Sequence, residues 1–150
     1  MKDIYQKFEK ICPMIFNFLE KDFRLNHIET EKNNYGIYVV YKSATSFLRI
    51  SLELREGGIF IYLGRLEDGE IPPYPIFIHQ STILHAFYLD DLINLKESQS
   101  KKQQNEEVTL SNIEKILTEK ANDVRKYASD ILQGNFEIFH ELENVVKART

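Results

Sequence analysis

The sequence predicts an α+β protein in which an N-terminal helix and C-terminal helices pack on one face of an antiparallel sheet of about four strands. Apolar residues recur at every second position within the segment 23–66, and at every third or fourth position on either side of it. The strand-like segments follow one another directly, which favours an antiparallel meander over alternating βαβ units. The 150 residues, 43% of them hydrophobic, suffice for one core, so we expect a single domain over 1–150.

The first segment predicts an amphipathic helix. Its apolar residues are spaced by four, three, four and three positions: Ile4, Phe8, Ile11, Ile15 and Phe18. Pro13 lacks a backbone N–H and clashes with the preceding turn, but the apolar pattern continues across it, so we expect one kinked helix with one buried face. The single cysteine, Cys12, lies in these apolar surroundings, which is typical of a core residue in a protein from a reducing compartment.

Four segments have the pattern or composition of strands. Residues 46–55 and 59–66 alternate in side-chain direction and flank adjacent glycines at 57 and 58, so they predict a hairpin. Segment 35–42 is rich in β-branched and aromatic residues and adds a third strand. Segment 23–31 is a weaker fourth strand.

The segment after the sheet begins with a predicted surface loop, 67–75, because its prolines and acids suit neither a helix nor a central strand. Ser81 could then cap a helix over about 82–95. Residues 96–107 contain no apolar side chain, so this polar stretch is either a loop or a solvated helical extension.

The last third of the chain predicts two helices. A long helix follows from the three-four rhythm of apolar residues from Leu110 to Ile131, with Thr109 or Ser111 as its cap and Gly134 at its end. A short final helix contains the remaining apolar residues, which are Phe136, Phe139, Leu142 and Val146.

Composition and motifs argue against several classes of function. The net charge of -4 removes the general attraction to phosphate, so we expect no nucleic-acid binding. The chain has neither a glycine-rich phosphate loop nor a Gly-x-Ser-x-Gly elbow, so no catalytic residue and no cofactor is expected. His79, His85, Asp90 and Asp91 are the candidate metal ligands. On the predicted helix His85 and Asp91 would point about 120° apart around the axis, so we expect no metal site there. Without an apolar run of ~20 residues, we expect a cytoplasmic protein that does not contact a membrane.

Aromatic residues on the predicted sheet have two interpretations. Tyr38 and Tyr62 share a face with Phe60 or its neighbours, which would resemble the stacking platform of an RNA-binding sheet. That platform needs basic residues, and only three cations occur from residue 43 to 95: Arg49, Arg55 and Arg65. Packing of these aromatics against the helices is therefore the favoured interpretation.

The acidic charge is concentrated in the middle of the chain. Residues 51–100 contain 3 basic and 8 acidic side chains, a net charge of -5. An acidic rim beside aromatic side chains suits a surface that binds a basic protein, because charge speeds encounter and aromatics anchor the contact. The predicted partner-binding residues are Glu67, Asp68, Glu70, Tyr74, Asp90 and Asp91.

Two runs of residues resemble a group of small, uncharacterised bacterial proteins. They are the strand end Leu63-Gly64-Arg65-Leu66 and the run from Tyr127 to Leu142, and the similarity extends over about Tyr38–Val146 without the polar stretch. Some of the similar proteins are of the immunity type, which neutralise a toxin by binding it. The resemblance implies a small acidic cytoplasmic binder and supplies no active-site residue.

The leading hypothesis is therefore a non-enzymatic, immunity-like protein-binding domain with an acidic docking surface. The alternative is a small-ligand-binding or enzymatic domain, with a pocket between sheet and helices that contains His79, His85, Arg65 and Tyr62. A homodimer formed through a sheet edge or an apolar helix face is a third hypothesis.

Overall fold

Five antiparallel strands form one sheet in the order β1-β2-β3-β4-β5, with helices before and after it. The computed structural model describes residues 2–53, 55, 57–97 and 107–149. The strands are β1 (Asn26–Lys32), β2 (Gly36–Lys42), β3 (Ser46–Glu53), β4 (Gly58–Arg65) and β5 (Ala86–Tyr88). The helices are α1 (Lys2–Ile15), α2 (Phe18–Phe23), α3 (Leu89–Glu97), α4 (Ile113–Tyr127), α5 (Ser129–Leu132) and α6 (Phe139–Ala148). The predicted α+β class is confirmed, with five strands where about four were expected.

The N-terminal segment forms two helices rather than the single kinked helix that the pattern predicted. Pro13 lies inside α1, which ends two residues later, and α2 begins at Phe18. The buried stripe nevertheless continues across the break, because the fully buried residues keep helical spacing: Phe8, Cys12, Phe16 and Leu19. Arg24 adopts a left-handed conformation, with φ of 58°, and ends α2 before β1 begins.

The ladder of β2, β3 and β4 sorts side chains into two faces. Val39, Ile50 and Ile61 are opposite one another and point into the main core, whereas their neighbours Val40, Arg49 and Tyr62 point the other way. We call the first face inner and the second outer. The helices bury the inner face, and α5 is fixed to it where Ser46 Oγ donates a 2.7 Å hydrogen bond to the Ile131 carbonyl.

The predicted helix over 82–95 is wrong in its first half, because residues 86–88 form β5. Its residues are opposite Tyr62, Leu63 and Gly64 of β4, and helix α3 starts only at Leu89. Without β5, backbone N–H and C=O groups along the edge of β4 would have no partner in the fold. Hydrogen bonding to β4 therefore outweighs the helical spacing of the apolar residues in this segment. Consequently Ser81 caps no helix, and the angle of about 120° between His85 and Asp91, which assumed that both lie on one helix, does not apply.

The loop over 67–75 was predicted correctly and is followed by further irregular chain up to β5. Glu67 and Glu70 exchange backbone hydrogen bonds of 2.9 and 2.8 Å around Asp68 and Gly69, which both have positive φ. Beyond this turn the chain lies over the outer face, where the Tyr62 hydroxyl donates to the Pro72 carbonyl at 3.0 Å.

The last helices follow the predicted pattern with one interruption. The long predicted helix is divided into α4 and α5 at Ala128, and α4 has Asn112 before its first residue rather than a hydroxyl cap from Thr109 or Ser111. Gly134 follows α5 with φ of 88°, as predicted for a helix end. Residues 98–106, the larger part of the polar stretch, lie outside the described residues, so its two alternatives stay open.

Gly64 allows β5 to approach β4, and its replacement tests this contact. A Cβ atom at Gly64 would lie 2.3 Å from the His85 carbonyl oxygen and 2.5 Å from Ala86 Cα. Gly64→Ala should therefore lower the free energy of unfolding by about 3 kcal/mol, the upper range for overpacking. Gly69→Ala is the control, since nothing surrounds that position and only its left-handed backbone costs about 1 kcal/mol. The free energies of unfolding of both variants are measured by urea denaturation. If Gly64→Ala is no less stable than Gly69→Ala, the packing argument is wrong.

Candidate functional site

The outer face of the sheet contains a cluster of aromatic side chains, and no helix of the described residues shares a core cluster with them. Tyr38 and Phe60 are partly exposed on this face, and Tyr62 is buried on it. The interpretation that these aromatics pack against the helices is therefore wrong, although the prediction that they share a face is confirmed. What covers Tyr62 is chain from the segment after β4.

Tyr62 lies at the centre of the aromatic cluster. Its ring centroid lies 5.3 Å from that of Phe47, 5.2 Å from Tyr88 and 6.0 Å from Tyr74, and Tyr74 and Tyr88 are 5.4 Å apart. Burial raises the pKa of the Tyr62, Tyr74 and Tyr88 phenols above the ordinary value, so all three are protonated at neutral pH. Tyr74 and Tyr88 are partly exposed in this cluster, whereas Tyr62 is buried and its hydroxyl is bonded to Pro72.

Arg49 projects from β3 next to this cluster. Its guanidinium carbon lies 5.0 Å from the Tyr62 ring centroid and 5.7 Å from that of Tyr38, so two aromatic rings flank the cation. Nε of Arg49 is fully buried and has no hydrogen-bond partner. Within the part of the chain that the structure describes, no carboxylate lies within ion-pair distance of this guanidinium.

A groove of about 430 Å³ runs over Arg49 between β1 and the loop after β4. We call it the Arg49 groove. Tyr38, Val40, Arg49 and Tyr62 line it from the sheet, and the other lining residues are Glu29, Glu31, Asn33, Lys42 and the segment 70–74. The structure thereby brings together an arginine, several tyrosines and three carboxylates from separate parts of the sequence.

The carboxylates of the groove differ in how far they are neutralised. Glu29 and Glu31 are exposed on β1, and among the described residues neither forms an ion pair. Glu70, on the opposite wall, lies 3.9 Å from Lys42 Nζ, and its side chain is 84% exposed, so water screens that pair. The rim of the groove therefore carries negative charge around a positive floor.

Four of the predicted partner-binding residues lie close to the groove or in the turn beside it. Glu70 and Tyr74 line the groove itself, whereas Asp68 is exposed in the adjoining turn. Glu67 is occupied within the protein: it lies 2.5 Å from Nε2 of His85, whose Nδ1 accepts a 3.0 Å hydrogen bond from Arg65.

The other two predicted partner-binding residues are paired with cations of the helices. Asp91 is buried and accepts two hydrogen bonds from Arg149, at 2.7 and 3.1 Å, which connects α3 to the end of α6. Asp90 lies 3.8 Å from Lys120 of α4. Tyr74, Asp91 and Arg149 also line a second cavity of about 410 Å³, on the other side of the aromatic cluster.

Sequence reasoning missed Arg49, Glu29 and Glu31 as members of a site. Strand periodicity contained the signal for Arg49, since positions 38, 49 and 62 have the same direction once the register is known. The acids of β1 gave no such signal, because the weak strand pattern there did not establish which residues face outward.

The alternative hypothesis was a ligand pocket between sheet and helices, and its residues do not come together there. They are His79, His85, Arg65 and Tyr62. That interface is filled by apolar side chains, while Tyr62 lies on the outer face and His79 in a turn with Thr82. Arg65 and His85 do meet, and a cavity of about 240 Å³ lined by Tyr62, Glu67 and His85 lies under the loop.

Two further groups bear on chemistry. Cys12 is fully buried, and burial raises the pKa of its thiol, as expected for the predicted core residue. Over residues 2–53, 55, 57–97 and 107–149, no three His, Cys, Asp or Glu side chains converge as metal ligands would. The helices found in the same ranges are too short or too polar to cross a membrane.

Comparison with known proteins finds no matching family model, no matching curated protein and no matching solved structure. The site is therefore interpreted from its own geometry.

The Asp91–Arg149 ion pair should stabilise the protein measurably. Arg149→Ala leaves a carboxylate that is only 8% exposed without its cation, and we expect a loss of about 1–2 kcal/mol in the free energy of unfolding. The loss stays below that of a fully buried pair because the Arg149 side chain is 55% exposed and water can replace part of it. Lys115→Ala removes an exposed ion pair with Glu119 and should change stability by less than about 0.5 kcal/mol. The free energy of unfolding of both variants is measured by urea denaturation. If Arg149→Ala and Lys115→Ala lower it equally, the pairing of Asp91 with Arg149 does not stabilise the protein.

Proposed function

We propose that this protein is a non-enzymatic protein-binding domain, and that its partner docks on the outer face of the sheet over the Arg49 groove. The observation that supports this most directly is the groove itself, which combines aromatic side chains with a rim of carboxylates on the outer face. Tyrosine and arginine are the residues that most often dominate binding energy in protein interfaces.

Charge identifies the kind of partner. Glu29 and Glu31 present two carboxylates on β1 that no described cation neutralises, and Glu70 adds a third across the groove. A basic segment would be attracted to this rim and held by the tyrosines between its walls. The proposed contact surface thus keeps Glu70 and Tyr74 of the original hypothesis, while Asp90 and Asp91 remain internal partners of Lys120 and Arg149.

The resemblance to immunity-type proteins supports a more specific proposal. In that setting the basic partner is a toxin, and binding on the outer face neutralises it in the cytoplasm. The acidic turn containing Glu67 and Asp68 then lies at the margin of the interface, next to Glu70.

Charge reversal on β1 tests the proposed docking surface. Proteins captured by the wild type from cells that produce it are purified, and their affinity is measured by calorimetry for each variant. The double substitution Glu29→Lys with Glu31→Lys should raise the dissociation constant at least about tenfold, equivalent to 1.4 kcal/mol, and abolish most of its salt dependence.

A matched control has the same change in net charge on the helical side of the molecule. Glu119→Lys with Glu137→Lys alters two exposed residues far from the groove lining and should leave the dissociation constant within about twofold of the wild type. If both double variants bind equally well, with circular dichroism showing an intact fold, the outer face is not the docking surface.

A further inference from the structure

We propose that Arg49 binds a side-chain carboxylate of the docked segment, so that the partner presents an Asp or Glu flanked by Lys or Arg. This inference rests on the proposed function and specifies the chemistry of the occupant. Its basis is the contrast between a positive groove floor and a negative rim.

The first argument is that Arg49 lacks an acceptor. Guanidinium groups carry five N–H donors and remain charged, so they are normally paired when they are withdrawn from water. The partly buried side chain of Arg49 makes no hydrogen bond to any residue in the described ranges, and its Nε is buried without a partner. The neighbouring rings of Tyr38 and Tyr62 stabilise the positive charge but accept no conventional hydrogen bond from it.

Arg49 differs from the exposed Arg24 and Arg55, which water can solvate, because it is partly buried, and it differs from the other three arginines in its partners. Arg149 is paired with Asp91, Arg65 donates to His85, and Arg125 donates to Asn122 while lying over the Phe18 ring. Arg49 has ring neighbours only, although it lies at the centre of the sheet between β2 and β4.

The second argument concerns the shape of the ligand. The planar fork of a guanidinium matches a carboxylate or a phosphate, both of which can accept two parallel hydrogen bonds. A phosphate would carry nearly two negative charges between Glu29, Glu31 and Glu70, which would repel it. A carboxylate carries one charge, and basic neighbours within the same segment would be attracted to those three acids.

The third argument separates a side chain from a chain terminus. The acids of the groove come from two separate elements, with Glu29 and Glu31 on β1 and Glu70 on the loop after β4. A segment with cations on both sides of its carboxylate satisfies both walls. A terminal carboxylate has chain, and therefore cations, on one side only.

Short peptides with defined charges test the inference. The probe is acetyl-Lys-Ala-Glu-Ala-Lys-amide, compared with the same peptide containing Gln in place of Glu and with acetyl-Lys-Ala-Lys-Ala-Ala ending in a free carboxylate. Nuclear magnetic resonance titration of the full chain follows the Nε–H signal of Arg49 and the ring signals of Tyr38. We expect the Glu peptide to bind at least fivefold more tightly than the other two peptides and to shift both sets of signals.

Two arginine variants complete the test. Arg49→Gln should remove the preference for the Glu peptide over the Gln peptide, whereas Arg125→Gln, which removes another ring-contacting arginine on α4, should retain it. Equal binding of Glu and Gln peptides, tighter binding of the terminal carboxylate, a preference that survives in Arg49→Gln, or no shift with any peptide would each overturn the inference.

Failure of this inference is distinguishable from failure of the proposed function. If Glu29→Lys with Glu31→Lys loses the protein partner while Arg49→Gln binds that partner with unchanged affinity, the docking surface stands and the carboxylate contact is wrong. If the β1 reversal has no effect on the partner, the proposed surface itself is wrong, whatever the peptides do.

Discussion

The hydrogen-bonded ladder of β2, β3 and β4 is the constraint on which the rest of the structure depends. Its uninterrupted register assigns every side chain of these strands to one of two faces. On the inner face the aliphatic residues form a core with the helices, and on the outer face Arg49 and the tyrosines come together. A shift of one residue in any pair would move the arginine into the apolar core, where its charge would have no partner.

The two faces are covered in different ways, and this difference creates the site. Helices before and after the sheet bury the inner face, whereas the irregular chain between β4 and β5 lies over part of the outer face. That chain reaches the centre of the sheet, where Pro72 accepts the Tyr62 hydroxyl and Tyr74 completes the aromatic cluster. It stops short of β1, so the Arg49 groove remains between its edge and the acids of the first strand.

Some acidic side chains of this protein have a basic partner within the fold, and others have none among the described residues. Asp91 and Asp90 lie within ion-pair distance of Arg149 and Lys120, and Glu67 contacts the His85 ring, so three acids of the middle segment already have partners in the fold. Glu29 and Glu31 of β1 have no ion pair among the described residues, and they lie in a part of the chain whose overall charge is positive by sequence. Counting charges along the chain therefore located the side of the groove that contains Glu70 and Tyr74, but not the acids of β1.

The sequence by itself determined the α+β class, the three central strands and the helical segments, because their apolar residues repeat with periods that depend only on local backbone geometry. It also predicted a buried Cys12 and a glycine at the end of α5. Only the tertiary structure decided that residues 86–88 form a strand, since three residues contain no periodic signal and are held by the edge of β4. The same holds for the Arg49 groove and the Asp91–Arg149 pair: their members are distant in sequence, and contacts across such distances are specified by register and packing rather than by local pattern.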